Sequence, residues 1–133
     1  SATSDDGRTY TPGMLRAAGV ADVFVFAPSA MLCAEPTVVR WAGFSRESRQ
    51  DGEERGIASV EVLVVREKDT EARDATFACE AAVRSSGRSE WNAGGSGVRI
   101  LGIDTDAPTF RERDSSGRSV WAFTARLTVA REI

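Results

Sequence analysis

The fold is decided by the last third of the chain: VRILGIDTDAPTFRERD (98–114), the turn Ser115–Gly117, and the returning segment RSVWAFTARLTVAREI (118–133). In the returning segment, large apolar residues alternate with small or polar ones, which is the period of a half-buried β-strand. Asp114 and the two serines before Gly117 favour a type I turn in which Gly117 takes the positive φ. The sequence therefore predicts a long C-terminal β-hairpin. The alternating apolar residues are Trp121, Phe123, Ala125, Leu127 and Val129.

Two details of this hairpin lead to a functional expectation. Pro108 has no amide hydrogen to give to a neighbouring strand, so it marks a bulge or an edge in the outgoing segment. Beyond it, Phe110 and Trp121 are expected to lie near one another across the hairpin. Typical strands run about five or six residues, and the returning strand is much longer. We therefore expect the hairpin to reach beyond its own domain and to contact another protein.

Upstream of the hairpin, the pattern predicts a short helix, three strands and a longer helix. Residues 1–10 are polar and are expected to be disordered. The longer helix has an apolar stripe of small residues, which favours close packing on a sheet. The predicted elements are a helix at Pro12–Ala18, strands at Val20–Ala27, Thr37–Phe44 and Ile57–Arg66, and a helix from Asp69 or Thr70 to Ser85.

The predicted order α–β–β–β–α–β–β occupies a single domain, residues 1–133. We expect an α/β fold of the α+β type: one mixed, mainly antiparallel sheet with helices packed on one face and the long C-terminal β-hairpin. Ser45–Arg55 has no aliphatic residue and alternates in charge, which predicts a solvated mobile loop. Arg88–Gly97 is rich in glycine, which predicts a second loop, with Trp91 folded over an edge of the core.

Composition narrows the possible classes of function. The chain has 133 residues, a formal net charge of −3 and no histidine, so the commonest general base and a frequent zinc ligand are missing. Lys68 is the only lysine, and the scattered arginines form no basic stripe, which argues against a free-standing DNA-binding protein. For Cys33 and Cys79, buried free thiols are favoured over a disulfide. No apolar run is long enough to span a membrane.

The carboxylates of the hairpin are the strongest candidates for chemistry. They could form a hard-metal site or an acid–base pair, but arginines alternate with them and favour solvated, neutralised charge instead. The thiols have no histidine to activate them, and Asn92–Gly97 lacks the lysine of a phosphate-binding loop. We therefore expect no enzyme activity, no cofactor and no metal. The carboxylates are Asp104, Asp106, Glu112 and Asp114, and the arginines are Arg111, Arg113 and Arg118.

Two segments together resemble a known group of proteins. FSRESRQDGEERGIASVEVLVVREKDTEARDATFACEAAVRS (44–85) joins a charged segment, a valine-rich strand and a helix. RILGIDTDAPTFRERDSSGRSVWAFTARLTVAREI (99–133) carries the elements T-D-x-P, R-D-x-S-G-R and V-W-x-F. In these segments the chain looks like the small tail-completion proteins of long-tailed phages and prophages, the tail terminator and minor capsid or head–tail connector group.

This resemblance implies a structural virion assembly protein that forms a ring, commonly hexameric, on the end of the tail tube. There it would halt tube polymerisation and meet the head connector. Its partners would be other copies of itself, the tail-tube protein and the connector protein, with DNA only as the contents of the lumen and no membrane. It would assemble in the bacterial host cytoplasm and then reside in the tail or neck of the virion. The residues expected at subunit contacts are Phe110, Arg111, Arg113, Asp114, Arg118 and Trp121 in the hairpin, and Arg46, Arg49, Glu53 and Glu54 in the charged segment.

Two other hypotheses remain open. The chain could be a small non-catalytic module that binds a peptide or another ligand through Trp41, Trp91 or Trp121. It could also be a metal-dependent hydrolase that uses the hairpin carboxylates. Quenching of tryptophan fluorescence by added ligands would favour the first alternative. Calorimetric uptake of magnesium, calcium or manganese would favour the second.

Overall fold

The structure is a computed structural model that describes residues 22–24, 27–29, 31–50, 52–85 and 98–132. Within these ranges the chain forms one six-stranded sheet and one helix. The strands lie in the order β1-β2-β3-β6-β4, and β5 also pairs with β6. The elements are β1 Val23–Phe24, β2 Thr37–Gln50, β3 Glu53–Arg66, α1 Asp69–Ser85, β4 Val98–Thr105, β5 Thr109–Arg113 and β6 Ser119–Glu132.

The expected mixed, mainly antiparallel sheet is confirmed, and the described part of the chain is mainly β. Among the described strands, β1 and β2 are parallel and the remaining pairs are antiparallel. The strand predicted at Val20–Ala27 is described as a strand only at Val23–Phe24. The helix predicted at Pro12–Ala18, the segment 1–10 and the loop Arg88–Gly97 lie outside the described residues.

The C-terminal hairpin is present, but its return strand lies inside the sheet. All 14 residues of β6 pair with β3, from Ser119 opposite Arg66 to Glu132 opposite Glu53. On its other side, β6 pairs first with β5 and then with β4. The expectation that this strand must reach beyond its own domain is therefore wrong, because its backbone groups find their partners within the subunit.

The outgoing half of the hairpin is interrupted where Pro108 predicts a break. β4 ends at Thr105 and β5 begins at Thr109, with Pro108 buried between them. The predicted turn is also confirmed. The Gly117 N–H donates to Asp114 O at 2.9 Å, and Gly117 has a φ of 80°. Local turn chemistry thus decides where the chain reverses.

The charged segment Ser45–Arg55 is not a loop but the end of a second long hairpin. β2 continues to Gln50 and β3 begins at Glu53, and these two residues pair with each other. The connection Asp51-Gly52 has the two-residue sequence typical of a tight hairpin, and Gly52 has a φ of 75°. The loop prediction is wrong because polar side chains on both faces of these strand ends abolish the period-two pattern.

The hydrophobic core lies between α1 and one face of the sheet, which we call the helix face. The predicted helix is confirmed at Asp69–Ser85, and Cys79 and Val83 of its inner side join the core. Full burial of one aliphatic side chain stabilises the fold by about 1.5–3 kcal/mol. The opposite face of the sheet, the helix-free face, carries the alternate residues of each strand. The buried core residues of β3 and β6 include Val60, Val62, Val64, Phe123, Ala125, Leu127 and Val129.

Candidate functional site

The residues predicted to form subunit contacts lie at two opposite ends of the sheet. Arg113 pairs with Ser119 at the start of β6, and Glu53 pairs with Glu132 at its end. The 14 residues of β6 span the distance between these positions, which corresponds to about 45 Å of extended strand. We call the two regions the β5–β6 turn end and the β2–β3 turn end. The structure does not bring the two groups together within one subunit.

At the β5–β6 turn end, Phe110 packs against Trp121 as predicted. Their ring centroids are 6.0 Å apart at an interplanar angle of 75°, which is an edge-to-face contact. The Trp121 indole N–H donates to Asp69 Oδ1 at 2.9 Å and ties β6 to the first residue of α1. This hydrogen bond is the main reason why the pKa of Asp69 is lowered. Trp121 therefore makes its contacts within its own subunit, whereas Phe110 is half exposed.

Asp114 and Arg118 build the turn between β5 and β6. The Asp114 carboxylate accepts the N–H groups of Ser116 at 3.0 Å and Arg118 at 2.9 Å, and it pairs with the Arg118 guanidinium at 2.7 Å. Burial raises the pKa of Asp114, but these hydrogen bonds outweigh it, and the net pKa is lowered. Arg113 Nη1 donates to Gly117 O at 2.9 Å. Asp114 and Arg118 are thus used within the subunit, while the Arg113 side chain is more exposed.

The segment that leads into β2, which includes Ala34, Glu35 and Pro36, is held at the β5–β6 turn end of the sheet by two arginines. Arg118 Nη1 donates to Ala34 O at 2.9 Å. Arg66 Nη1 donates to Glu35 O at 3.0 Å and to Pro36 O at 3.2 Å. A guanidinium offers several N–H donors in one plane, so each arginine can hold more than one carbonyl. The connection is therefore attached to the sheet by side chains from β3 and from the β5–β6 turn.

The tip of this connection presents two apolar side chains to solvent. The N–H groups of Leu32 and Cys33 each donate to Ser29 O at 3.0 Å, which closes a hydrogen-bonded turn. Met31 is 98% exposed and Leu32 is 65% exposed. Neither residue is among the predicted contact residues. Two adjacent apolar residues in a connection between strands do not show from the sequence alone whether they are exposed in a turn or buried in the core.

At the β2–β3 turn end, two of the predicted residues pair with each other across the hairpin, and a third pairs with an arginine of its own strand. Arg46 Nε lies 3.3 Å from Glu54 Oε2, and Arg55 Nε lies 3.1 Å from Glu53 Oε1. Arg49 stands directly opposite Glu54 in the strand register. Glu54 is buried, while the side chains of Arg46 and Arg55 are more than half exposed. This end of the sheet therefore presents arginine head groups whose acidic partners are partly covered.

The helix-free face carries a charge cluster that the sequence analysis missed. The Glu61 carboxylate is buried on β3, pairs with Arg40 of β2 at 2.5 Å and also pairs with Arg111 of β5. Arg111, predicted at a subunit contact, thus has a partner in its own subunit. A signal was present in the sequence, since Glu61 interrupts a valine-rich strand and Arg40 interrupts another. A charge inside an apolar strand needs a partner.

Asp104, Asp106 and Asp114 of the hairpin pair with arginines, but of the three predicted arginines only Arg118 takes part. The Arg126 guanidinium donates to Asp104 Oδ2 and to Asp106 Oδ1, both at 2.8 Å, and Arg118 pairs with Asp114. The hydrogen bond from Arg126 lowers the pKa of Asp106. For the two acids near the end of β4, the neutralising residue is therefore on β6 and not on β5. Within the described ranges, no group of three or more cysteines and acids is placed to hold a metal ion.

The two cysteines and the tryptophans Trp41 and Trp91 are the remaining candidates from the sequence analysis. Both cysteines are free thiols, as expected, but only Cys79 is buried, while Cys33 is partly exposed. Burial raises the pKa of the Cys79 thiol, which disfavours the nucleophilic thiolate. The side chain of Trp41 and residue Trp91 lie outside what the structure describes. In the part of the chain that the structure covers, no helix is long and apolar enough to cross a membrane.

Comparisons with known proteins give a likeness of fold. No protein-family model and no curated protein sequence matches the chain. Among solved structures, the chain is similar to a chain from the virion of a native gene transfer agent (GTA) particle. The TM-score is 0.68 at 14% sequence identity, and the match covers 96% of each chain. The two chains therefore share one fold over almost their whole lengths.

Proposed function

We propose that this chain is a structural protein of a phage-like particle, where it assembles with other virion proteins and has no catalytic activity. The observation that carries this proposal is the fold shared with a chain of the gene transfer agent virion, at a TM-score of 0.68 over 96% of both chains. A fold by itself does not determine a function. The proposal therefore also rests on the side chains of this protein.

Side-chain chemistry supports a non-catalytic role. The sequence has no histidine, so the usual neutral base for activating a hydroxyl or thiol is missing. Asp106 and Asp114 already accept hydrogen bonds from arginines. A carboxylate held in its charged form by such bonds is a weak proton acceptor. The thiol of Cys79 is buried with a raised pKa, which makes it a poor nucleophile.

Within this class, we propose a tail-completion subunit, namely a tail terminator or head–tail joining protein that forms a ring on the end of the tail tube. The sequence motifs of the two resembling segments support this role. The two charged ends of the sheet support it as well, because a ring contact is heterologous and needs two different patches on one chain. Paired charges at such contacts contribute specificity more than affinity. The tail-tube protein and the head connector would be the partners, in the host cytoplasm and then in the virion.

Removal of the gene from the host that makes the particles tests this proposal. We expect electron micrographs to show tails of irregular length or tails without heads, and the wild-type gene supplied in trans should restore normal particles. Mass spectrometry of purified wild-type particles should detect the chain. Normal tails with attached heads in its absence would contradict the tail-completion role. Absence of the chain from purified wild-type particles would contradict the virion role altogether.

A further inference from the structure

We propose that Arg40 and Arg111 on the helix-free face form a binding site for a phosphate group. The inference goes beyond the proposed function, because neither a virion role nor a ring contact requires a ligand at this place. The buried carboxylate of Glu61 lies between the two arginines and pairs with both. Two guanidinium groups and one carboxylate leave a net charge of +1 in the cluster. One positive charge is therefore left for a second anion.

The fold brings the two arginines together from strands that do not pair with each other in the described sheet. Arg40 of β2 stands directly opposite Glu61 of β3 in the strand register. Arg111 lies in β5 at the register shift between Phe110 and Glu112, and such a bulge changes the direction of a side chain. The Arg111 side chain reaches over β6 to the same carboxylate. Glu61 thus holds both guanidinium groups in place before any ligand binds.

Each guanidinium group keeps most of its hydrogen-bond donors free for a ligand. Both arginines donate to Glu61 through Nη2, Arg40 to Oε1 and Arg111 to Oε2. Within the described residues, Nε and Nη1 of both arginines have no hydrogen-bond partner. The side chains of Arg40 and Arg111 are 64% and 43% exposed, whereas that of Glu61 is 11% exposed. The acid is therefore covered, while unused N–H groups are open to solvent.

The other acids of this region do not occupy the site. Asp104 and Asp106 accept hydrogen bonds from Arg126 of β6. Glu112 follows Arg111 in β5 and is exposed, but in the part of the chain that the structure describes no ion pair joins it to an arginine. Its charge reduces the positive potential of the cluster without filling the site. Removal of that charge should therefore favour an incoming anion.

A phosphate group fits this arrangement better than a carboxylate. The two oxygens of a carboxylate lie in one plane and suit the fork of a single arginine, whereas the tetrahedral oxygens of phosphate can accept from two guanidinium groups at once. The negative charge of phosphate offsets the one that Glu61 leaves unbalanced. Arginines held in place before binding also avoid part of the entropic cost of ordering long side chains. Both free phosphate ions and the backbone of nucleic acids carry this group, and a backbone contact involves no recognition of bases.

Side-chain NMR of the ¹⁵N-labelled protein tests the site. The Nε–Hε signals of Arg40 and Arg111 are followed while inorganic phosphate replaces chloride at constant ionic strength. We expect both signals to shift along one saturable curve with a dissociation constant on the order of 1–10 mM, because exposed ion pairs are weak. Acetate in the same titration should bind at least about fivefold more weakly. No saturable shift of the two signals would overturn the inference, and so would equal binding of acetate.

Substitutions that keep the charge separate the site from a general attraction of anions. Arg40→Lys and Arg111→Lys preserve a positive charge beside Glu61 but remove the planar fork, and each should weaken phosphate binding at least about fivefold. Arg55→Lys, the matched control at an exposed arginine of β3 that pairs with another acid, should change the affinity less than about twofold. Glu112→Gln should bind phosphate at least as tightly as the wild type. Unchanged binding in both site variants would overturn the inference, and so would an equal loss in Arg55→Lys.

A second titration identifies the source of the phosphate group. A short double-stranded DNA of mixed sequence is added at fixed salt, and a saturable shift of the Arg40 and Arg111 signals assigns the DNA backbone as a source. A shift with inorganic phosphate alone assigns the free ion, and either result supports the site. Failure of both titrations would overturn the site and leave the proposed function, which rests on the shared fold. Phosphate binding by a chain that purified particles lack would do the reverse.

Discussion

Glu61 shows how a single buried acid organises a polar face of the sheet. Its carboxylate lies on β3 between guanidinium groups from β2 and β5, two strands that do not pair with each other in the described sheet. The cluster therefore links the two sides of the sheet across β3 and β6. The acid is 8% exposed, so ionised Glu61 would be costly without its two arginines.

The substitution Glu61→Gln tests this role. It keeps the size of the side chain and removes its charge, so the hydrogen bonds from Arg40 and Arg111 become weaker. We expect the free energy of unfolding to fall by about 1–2 kcal/mol, a reduced value because both arginines are partly exposed. Urea denaturation followed by tryptophan fluorescence measures it. The control Glu47→Gln, at an exposed position of β2, should change it by less than about 0.5 kcal/mol. Equal effects would contradict the role of the cluster.

Asp69 should make the fold sensitive to acid. The Trp121 hydrogen bond, with smaller contributions from the charges of Arg113 and Arg73, lowers its pKa. A carboxyl whose folded pKa is lowered stabilises the protein fully above its unfolded pKa of about 3.9, and this stabilisation is lost as the pH falls through the folded pKa. Asp69→Asn should therefore lower the Tm at pH 7, by an amount that shrinks below about pH 4.

Circular dichroism melting curves between neutral and acidic pH measure this difference. Asp74→Asn, at an exposed position of the same helix, is the control and should change the Tm at pH 7 less than Asp69→Asn does. A Tm difference between wild type and Asp69→Asn that stays constant with pH would contradict the assignment, because it would show a contribution that does not depend on the carboxylate charge.

At the scale of single elements, β2 and β3 pair along almost their whole length, and β2 carries bulges and charged side chains that disfavour pairing with further strands. The register of β2 shifts between Trp41 and Gly43 and again between Arg46 and Ser48, which are bulges in this strand. Bulges and charged side chains at an edge disfavour pairing with strands of other molecules. This part of β2 is therefore poorly suited to pairing with a strand of another molecule.

The same hairpin depends on a close approach at Gly56. A Cβ atom at this position would lie 2.4 Å from Ser45 O and 2.6 Å from Phe44 Cζ. The oxygen belongs to the backbone of the paired strand, so it cannot move without disturbing the pairing. Gly56→Ala should lower the free energy of unfolding by at least about 2 kcal/mol.

Gly102→Ala on β4 is the matched control for this prediction. The nearest atom to its added Cβ would be Thr128 Oγ1 at 3.8 Å, which is an ordinary contact. Chemical denaturation of both variants decides between the alternatives. If the two substitutions cost the same, the loss would reflect a general effect of replacing a strand glycine and not the close approach at Gly56.

At the scale of the whole molecule, β6 joins the parts of the sheet that are far apart in sequence. It pairs with β3 along its full length and with β4 and β5 on its other side. Its inward side chains Phe123, Leu127 and Val129 are buried. Because these contacts are long-range, they form only when the chain is nearly complete, and such topologies fold slowly.

Removal of residues 126–133 should therefore prevent folding. The shortened chain would lose Leu127 and Val129 from the core and leave the ends of β3 and β4 without a common partner. We expect far-ultraviolet circular dichroism of an unfolded chain and rapid proteolysis, with the full chain as control. A cooperative thermal transition in the shortened chain would show that β6 is dispensable at this end, contrary to the topology.

Local features of this fold could be predicted because they depend on neighbouring residues. The turn at Asp114–Gly117 follows from its residue types, the helix Asp69–Ser85 from its spacing, and the contact of Phe110 with Trp121 from the turn that places them opposite each other. The hairpin end at Ser45–Arg55 could not be predicted from its face pattern. Its strands are polar on both sides, so the pattern carried no information about their pairing.

The amino-acid sequence by itself determined the alternating face of β6, the break at Pro108, the reversal at Gly117 and the absence of a histidine-based site. Only the tertiary structure decided that β6 lies between β3 and β4, that Glu61 holds two arginines, and that Met31 and Leu32 project from a fixed turn. The physical reason is that the spacing of apolar residues along the sequence indicates only which face of a helix or strand is buried. Strand neighbours and ion-pair partners depend on contacts between distant segments, and these form only when the chain is folded.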